Sequence, residues 1–81
     1  MSKWEKLLER VRSLSGDVRF EELKRILERY GYIMTAPSNG SSHFTFRKNG
    51  YPSITIPKHN PVKKHYVRTV KDAIENEEAD L

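Results

Sequence analysis

The feature that most constrains the fold is a pair of strand-like runs on either side of Asn49-Gly50. SHFTFRK (residues 42–48) and PSITIPK (residues 52–58) both alternate apolar and polar side chains, which is the pattern of a strand with one buried face. Asn-Gly is a preferred dipeptide in the turns of β-hairpins. The sequence therefore predicts an antiparallel hairpin with one face in the core.

The register of this hairpin follows from the requirement that one face be apolar. A two-residue turn at Asn49-Gly50 alone would set Thr45 opposite Ile54 and mix apolar with polar residues on both faces. A three-residue loop, residues 48–50, with a left-handed Gly50 and a bulge pairs Phe44 with Ile54 instead. We therefore predict the three-residue loop. The polar face then carries His43, Thr45, Arg47, Ser53 and Thr55.

An amphipathic helix is predicted at residues 2–14. Ser2 and Glu5 have the spacing of a capping box, and Gly16 is placed to end the helix in a left-handed conformation. The apolar stripe recurs at helical spacing and consists of Trp4, Leu7, Leu8 and Val11.

Two more helices are predicted from caps and periodicity. The second helix of the chain has Asp17 as its candidate N-cap and Gly31 as the residue that ends it. The third helix starts at Asn60-Pro61, a capping side chain followed by proline at the first helical position. The stripe of the second is Phe20, Leu23, Ile26, Leu27 and Tyr30. The stripe of the third is Val62, Tyr66, Val67, Val70, Ala73 and Ile74.

The remaining element is a strand at YIMTAP (residues 32–37), followed by a polar loop, SNGSS (residues 38–42). The predicted order is thus α-α-β-β-β-α. We expect an α+β fold in which a three-stranded antiparallel sheet is covered by helices on one face. A chain of 81 residues has room for one core, so residues 1–81 are expected to form a single domain.

Charge is distributed unevenly along the chain. No acid occurs between Tyr32 and Lys71, whereas the rest of the chain holds eight Lys and Arg against eleven acids. Such a basic region is typical of a protein that binds a polyanion such as nucleic acid, although a solvated basic surface would have the same composition. The basic residues of this region are Arg47, Lys48, Lys58, Lys63, Lys64, Arg68 and Lys71.

Several classes of function are disfavoured by what the sequence lacks. There is no cysteine, hence no disulfide framework and no thiolate zinc site. No apolar run approaches the roughly 18 residues of a membrane span, and no signal peptide is recognisable, which fits a cytoplasmic protein. No nucleophile elbow or glycine-rich phosphate loop is present. We predict no metal site and no cofactor. Among enzymes, this leaves acid–base chemistry on an anionic substrate.

The histidines are the candidates for that chemistry. Imidazole in general titrates near pH 6.5 and can move protons at cellular pH. His43 lies on the polar strand face, next to hydroxyl and guanidinium groups that could bind phosphate. The alternative is that it is an exposed residue without a function. His59 follows the last strand, and His65 lies beside Lys63 and Lys64 at the start of the last helix. Trp4, Tyr51 and Tyr66 could stack on bases, but Trp4 and Tyr66 lie on helix stripes and are expected in the core.

Three short motifs together resemble one protein family. They are LERYGY at residues 27–32, GSSH at residues 40–43 and IPKHN at residues 56–60. In this order and spacing they are similar to the HicA family of bacterial toxins, small ribonucleases that cleave mRNA in toxin–antitoxin pairs. The resemblance covers residues 19–75. GSSH has one residue more than the family's usual Gly-Ser-His, a difference that a loop can absorb.

The resemblance implies a fold like that of a double-stranded-RNA-binding domain, α-β-β-β-α, to which residues 2–14 add a helix. It implies that His43 is the catalytic residue and that a HicB-type antitoxin inhibits the toxin by covering it. A homodimer or a toxin–antitoxin hetero-oligomer is therefore expected.

The leading functional prediction is a metal-independent endoribonuclease whose nucleophile is the 2′-hydroxyl of the RNA. His43 would be its general base or acid, and His59 is a candidate for the second proton transfer. The residues expected to contact RNA are Arg47, Lys48, Lys58, His59, Lys63 and Lys64. The alternatives are a non-catalytic RNA-binding module and a protein-interaction domain with an acidic partner.

Overall fold

The computed structural model describes residues 2–36 and 42–79. The elements are α1 (Lys3–Arg12), α2 (Phe20–Arg29), β1 (Ile33–Thr35), β2 (His43–Lys48), β3 (Tyr51–Pro57) and α3 (Lys64–Ala79). The predicted order of elements and the α+β class are thereby confirmed. The strand predicted at residues 32–37 is observed at Ile33–Thr35. Residue 37 of that prediction and residues 38–41 of the predicted loop, with Gly40 and Ser41 of the GSSH motif, lie outside the described residues.

The three strands form one antiparallel sheet in the order β1-β2-β3. Its apolar face contributes Phe46, Ile54 and Ile56 to the core, while the helices supply the other half of the core. The additional helix α1 packs against α3, and its stripe residues Leu7 and Val11 are buried there. The helices therefore occupy one face of the sheet, as predicted.

The predicted pairing of Phe44 with Ile54 is wrong, although the predicted faces are right. The observed pairs are Phe44 with Ile56, Thr45 with Thr55, Phe46 with Ile54, and Lys48 with Tyr51 across the turn. The observed partner of Phe44 lies two residues beyond the predicted one, and a shift of two keeps every side chain on its face.

A bulge in β3 accounts for this register. Between the last two pairs, Arg47 alone stands opposite two residues of β3, Pro52 and Ser53. Proline has no N–H to donate to a ladder and is tolerated at such positions. Gly50 is left-handed, with φ of 86°, as predicted. The predicted three-residue loop at residues 48–50 is wrong, because Lys48 pairs with Tyr51 and leaves only residues 49–50 in the turn, and the bulge lies within β3 and not at the loop.

The end of α1 differs from the prediction. Gly16 was expected to be left-handed, but the residue in that conformation is Leu14, with φ of 56°. Leu14 N–H donates to Val11 O at 3.0 Å and Ser15 N–H donates to Arg10 O at 2.9 Å, which is the Schellman pattern. Leu14 takes the position because its side chain packs against the core, a contact that glycine lacks. At the end of α2, Gly31 is left-handed as predicted.

The predicted caps of α2 and α3 are also wrong. Arg19, not Asp17, is the N-cap residue of α2, and the first N–H of this helix, that of Phe20, donates to Asn60 Oδ1 at 2.7 Å. Asn60 therefore caps α2 and not α3, which begins only at Lys64. Asn60 reaches α2 because a long-range hydrogen bond holds the β3–α3 connection beside the start of that helix: Val62 N–H donates to Val18 O at 2.8 Å.

An ion pair joins α1 to the start of α2. Arg10 donates to both carboxylate oxygens of Glu22, at 2.6 and 3.1 Å. Burial alone would raise the pKa of Glu22, but hydrogen bonds from Arg10 and from the Arg19 N–H outweigh it and hold that pKa below its ordinary value of 4.5. The carboxylate form of Glu22 therefore stabilises the fold.

The substitution Glu22→Gln is expected to lower the free energy of unfolding at pH 7 by about 1 kcal/mol or less, because the pair is partly exposed. A group whose pKa is depressed by folding contributes stability above its unfolded pKa and loses it as the pH falls through its folded pKa. The difference between wild type and variant should thus begin to shrink as the pH falls towards 4.5 and should be lost only in stronger acid, below the lowered pKa of the folded state. Urea unfolding followed by circular dichroism at several pH values measures this. Glu21→Gln, at an exposed neighbour, is the control, and a difference that does not shrink as the pH falls from 7 into the acid range contradicts the assignment.

Candidate active site

The start of β2 and the end of β3 meet at one end of the sheet. His43, the first residue of β2, pairs with Pro57, the last residue of β3. Lys58 N–H donates to Ser42 O at 2.7 Å and extends the pairing beyond His43. His59 N–H then donates to Pro57 O at 2.9 Å, which closes a tight turn around Lys58. The hairpin and this turn bring the two histidines to the same end of the sheet.

A groove of about 340 Å³ lies at this end of the sheet, between the strands and the start of α3. Its volume is within the range of about 300–1,000 Å³ that is common for ligand sites. The groove is lined by Ser42, His43, Pro57, His59, Val62, Lys63 and Tyr66. Three residues that the sequence proposed from separate segments, His43, His59 and Lys63, therefore share one groove.

The groove combines proton carriers with a positive charge. His43, His59 and Lys63 are exposed, whereas Val62 is buried and forms an apolar wall. None of the described lining residues is acidic. Two imidazoles and an ammonium group around a cleft are suited to bind a phosphodiester and to move protons at it. Among the described residues, no three His, Asp or Glu side chains cluster as metal ligands.

Four lining residues were not among the predicted site residues: Ser42, Pro57, Val62 and Tyr66. Tyr66 was predicted to belong to the core, and its half-buried ring does pack against it, but the same ring also lines the groove. Its position three residues after Lys63 was the signal in the sequence, because side chains at i and i+3 lie on neighbouring parts of a helix surface.

The other proposed RNA contacts lie elsewhere. Arg47 is exposed and stands four residues along β2 from His43, about 13 Å at 3.3 Å per residue. Lys58 is exposed between the two groove residues Pro57 and His59. Lys64 is exposed at the start of α3 and lines a different groove.

Lys48 is engaged by the fold. Its ammonium group donates to Tyr30 O at 2.7 Å, forms an ion pair with Glu77, and lies 4.6 Å from the ring centre of Tyr51. The hydrogen bond to Glu77 raises the pKa of Lys48. With only 20% of its side chain exposed, Lys48 holds α2, β2 and α3 together, and its charge is already used within the fold.

The chain matches a known protein family. The family model described as "HicA toxin of bacterial toxin-antitoxin" matches residues 20–75, more than half of the chain. This range contains all the residues that line the groove, whereas α1 precedes it. No curated protein and no solved structure matches the chain. Within the part that the structure describes, no helix is long and apolar enough to cross a membrane.

Proposed function

The chain belongs to the HicA toxin family of bacterial toxin–antitoxin systems, and from this premise we propose that it is an endoribonuclease that cleaves mRNA with His43 as its catalytic residue. The observation that carries the proposal is the common groove of His43, His59 and Lys63. A nuclease needs a proton acceptor, a proton donor and a positive charge around one phosphodiester, and these three side chains are of the required kinds.

The proposed reaction uses the RNA as its own nucleophile. His43 accepts the proton of the 2′-hydroxyl, whose oxygen attacks the neighbouring phosphorus. The bond from phosphorus to the 5′ oxygen breaks, and that oxygen takes a proton from His59. The products are a 2′,3′-cyclic phosphate and a 5′-hydroxyl, and each proton transfer contributes about 10²–10⁴-fold to the rate. Neither step requires a metal ion or a protein nucleophile.

The cations and the tyrosine ring would hold the substrate. Lys63 offsets the negative charge that develops on the phosphate oxygens during the attack. The Tyr66 ring offers a surface on which a base next to the scissile bond can stack. Arg47, Lys58 and Lys64 are exposed and would bind phosphates farther along the strand, where they add affinity and not rate.

Inhibition by an antitoxin follows from the exposure of the groove. His43, His59 and Lys63 are all exposed, so a protein that covers this end of the sheet would exclude RNA from it. We propose a HicB-type antitoxin as that partner, in a toxin–antitoxin hetero-oligomer, and the cytoplasm as the place of action because mRNA is translated there.

The experiment that tests the function is expression of the chain alone in a bacterium, beside His43→Ala at equal soluble level. Growth arrest and loss of bulk mRNA are expected for the wild type only. Co-expression of the antitoxin should restore growth. Equal behaviour of the two proteins would remove His43 from the mechanism and favour a non-catalytic RNA-binding module.

A further inference from the structure

A second groove lies beside the first turn of α3, where this helix meets the end of α1. Its lining residues are Leu14 and three exposed side chains of α3, Lys64, His65 and Arg68, around a volume of about 280 Å³. Within the described residues, neither Lys64 nor Arg68 forms an ion pair. The second groove therefore carries two positive charges that the fold does not neutralise.

The two grooves share the first turn of α3. Lys63 and Tyr66 line the groove of His43, whereas Lys64 and His65 line the second groove. The ring centres of His65 and Tyr66 are only 4.0 Å apart, so this pair of rings separates the two grooves. A nucleic acid strand that passes over Tyr66 would leave one groove and enter the other.

The end of α1 forms the apolar part of the second groove. Leu14 has φ of 56°, a conformation that leucine rarely adopts, and its side chain lines the second groove. The strain is held by the hydrogen-bonded turn at residues 10–15 and by packing of the side chain against the core. Residue 14 precedes the matched residues 20–75, so this wall comes from the part of the chain that lies outside the family match.

We propose that the second groove binds a backbone phosphate of the RNA strand whose scissile bond lies in the groove of His43. Lys64 and Arg68 supply charged hydrogen-bond donors to the phosphate, and His65 and Leu14 supply a wall for the attached sugar or base. The turn that follows α1 thereby extends the substrate-binding surface. The inference rests on the proposed ribonuclease function, because it takes the ligand to be RNA.

The first test measures RNA binding without cleavage. The double substitution Lys64→Ala/Arg68→Ala is made in a His43→Ala background, and its affinity for fluorescently labelled single-stranded RNA is measured by anisotropy at several salt concentrations. The affinity should fall by about tenfold or more, and the salt dependence should weaken by about 0.7 in logarithmic slope for each phosphate that the protein no longer binds. The control Lys3→Ala/Lys6→Ala removes the same charge from two exposed residues of α1 that line neither groove, and it should leave the affinity nearly unchanged.

The second test places a negative charge at the end of α1. Leu14→Asp and Leu14→Asn introduce side chains of nearly equal size, and both residues tolerate a left-handed backbone. Both variants give up the same apolar packing, and they differ from each other by one charge. The aspartate variant should bind RNA more weakly than the asparagine variant at low salt, and the difference should fade as salt screens the charge. Equal affinities at low salt would remove Leu14 from the RNA-binding surface.

The outcomes separate this proposal from the proposed function. In the protein with His43 intact, Lys64→Ala/Arg68→Ala should raise KM for RNA and leave kcat unchanged. An unchanged KM overturns the proposal for the second groove, even if cleavage is shown to depend on His43. Conversely, RNA affinity that depends on Lys64 and Arg68 in a protein that cleaves nothing supports the second groove and rejects the nuclease. If these substitutions weaken binding of the antitoxin and leave RNA affinity unchanged, the groove belongs to a protein partner and the proposal is wrong.

Discussion

Replacement of His43 by alanine is expected to slow RNA cleavage by about 10²–10⁴-fold, the usual contribution of one general acid or base. The side chain is exposed at the first position of β2, so its removal leaves no cavity in the core. Affinity for RNA should remain nearly unchanged, because the phosphate contacts come from other residues. A large loss in kcat with little change in KM is therefore the expected result.

The measurement is single-turnover cleavage of a defined RNA by purified protein, with the ends of the products identified. His43→Gln keeps a polar side chain that cannot transfer protons at neutral pH, and it should be as inactive as the alanine variant. Thr35→Ala, at an exposed residue of the neighbouring strand β1, should retain the wild-type rate. A 5′-phosphate on the products, or cleavage by His43→Ala at more than about one tenth of the wild-type rate, would exclude the proposed proton transfer.

The roles of the two histidines can be separated with a modified substrate. When sulfur replaces the 5′ bridging oxygen, the leaving group departs as a thiolate and needs no proton, since a thiol has a pKa of about 8.5. His59→Ala should therefore cleave the sulfur substrate at nearly the wild-type rate while it cleaves ordinary RNA slowly. His43→Ala should be slow on both substrates. If neither variant is rescued, His59 is not the proton donor.

The faces of the hairpin could be predicted from the sequence because they depend only on alternation. The predicted partner of Phe44 was displaced by two residues, yet Phe46 is buried and His43 is exposed as expected. The pairing itself depended on a bulge opposite Arg47, which no local pattern specified. Alternation therefore predicted that His43 is accessible, but it could not predict its neighbours.

Contacts between distant residues explain the remaining errors. Asn60 looked like a cap for the following helix, but it caps a helix whose first N–H lies 40 residues earlier. Lys48 looked like a free cation, but it pairs with Glu77, 29 residues later. The joint groove of His43 and His59 likewise depends on the turn around Lys58 after β3. Local propensity does not contain such information, because each of these contacts forms only when the elements have packed.

The substitution Phe46→Ala is expected to lower the free energy of unfolding by about 3–5 kcal/mol, as for other buried phenylalanines. Phe46 is fully buried between the sheet and the helices, with its ring centre 6.2 Å from that of Phe20. Phe44 lies two residues earlier on the same face but is only half-buried, so Phe44→Ala should cost clearly less. Urea unfolding followed by circular dichroism measures both, and equal losses would contradict the described burial of β2.

The cleavage activities of Phe46→Ala and His43→Ala should differ in how they depend on temperature. Small domains are stable by only about 5–15 kcal/mol, so loss of Phe46 should leave a measurable fraction of the chain unfolded near the growth temperature. Cleavage by Phe46→Ala should then fall in proportion to the folded fraction, and at low temperature, where more of the chain is folded, the total rate should approach that of the wild type. His43→Ala should instead be fully folded and inactive at every temperature. Residues 43 and 46 lie on opposite faces of one strand, and the two variants therefore separate loss of the chemistry from loss of the sheet that presents it.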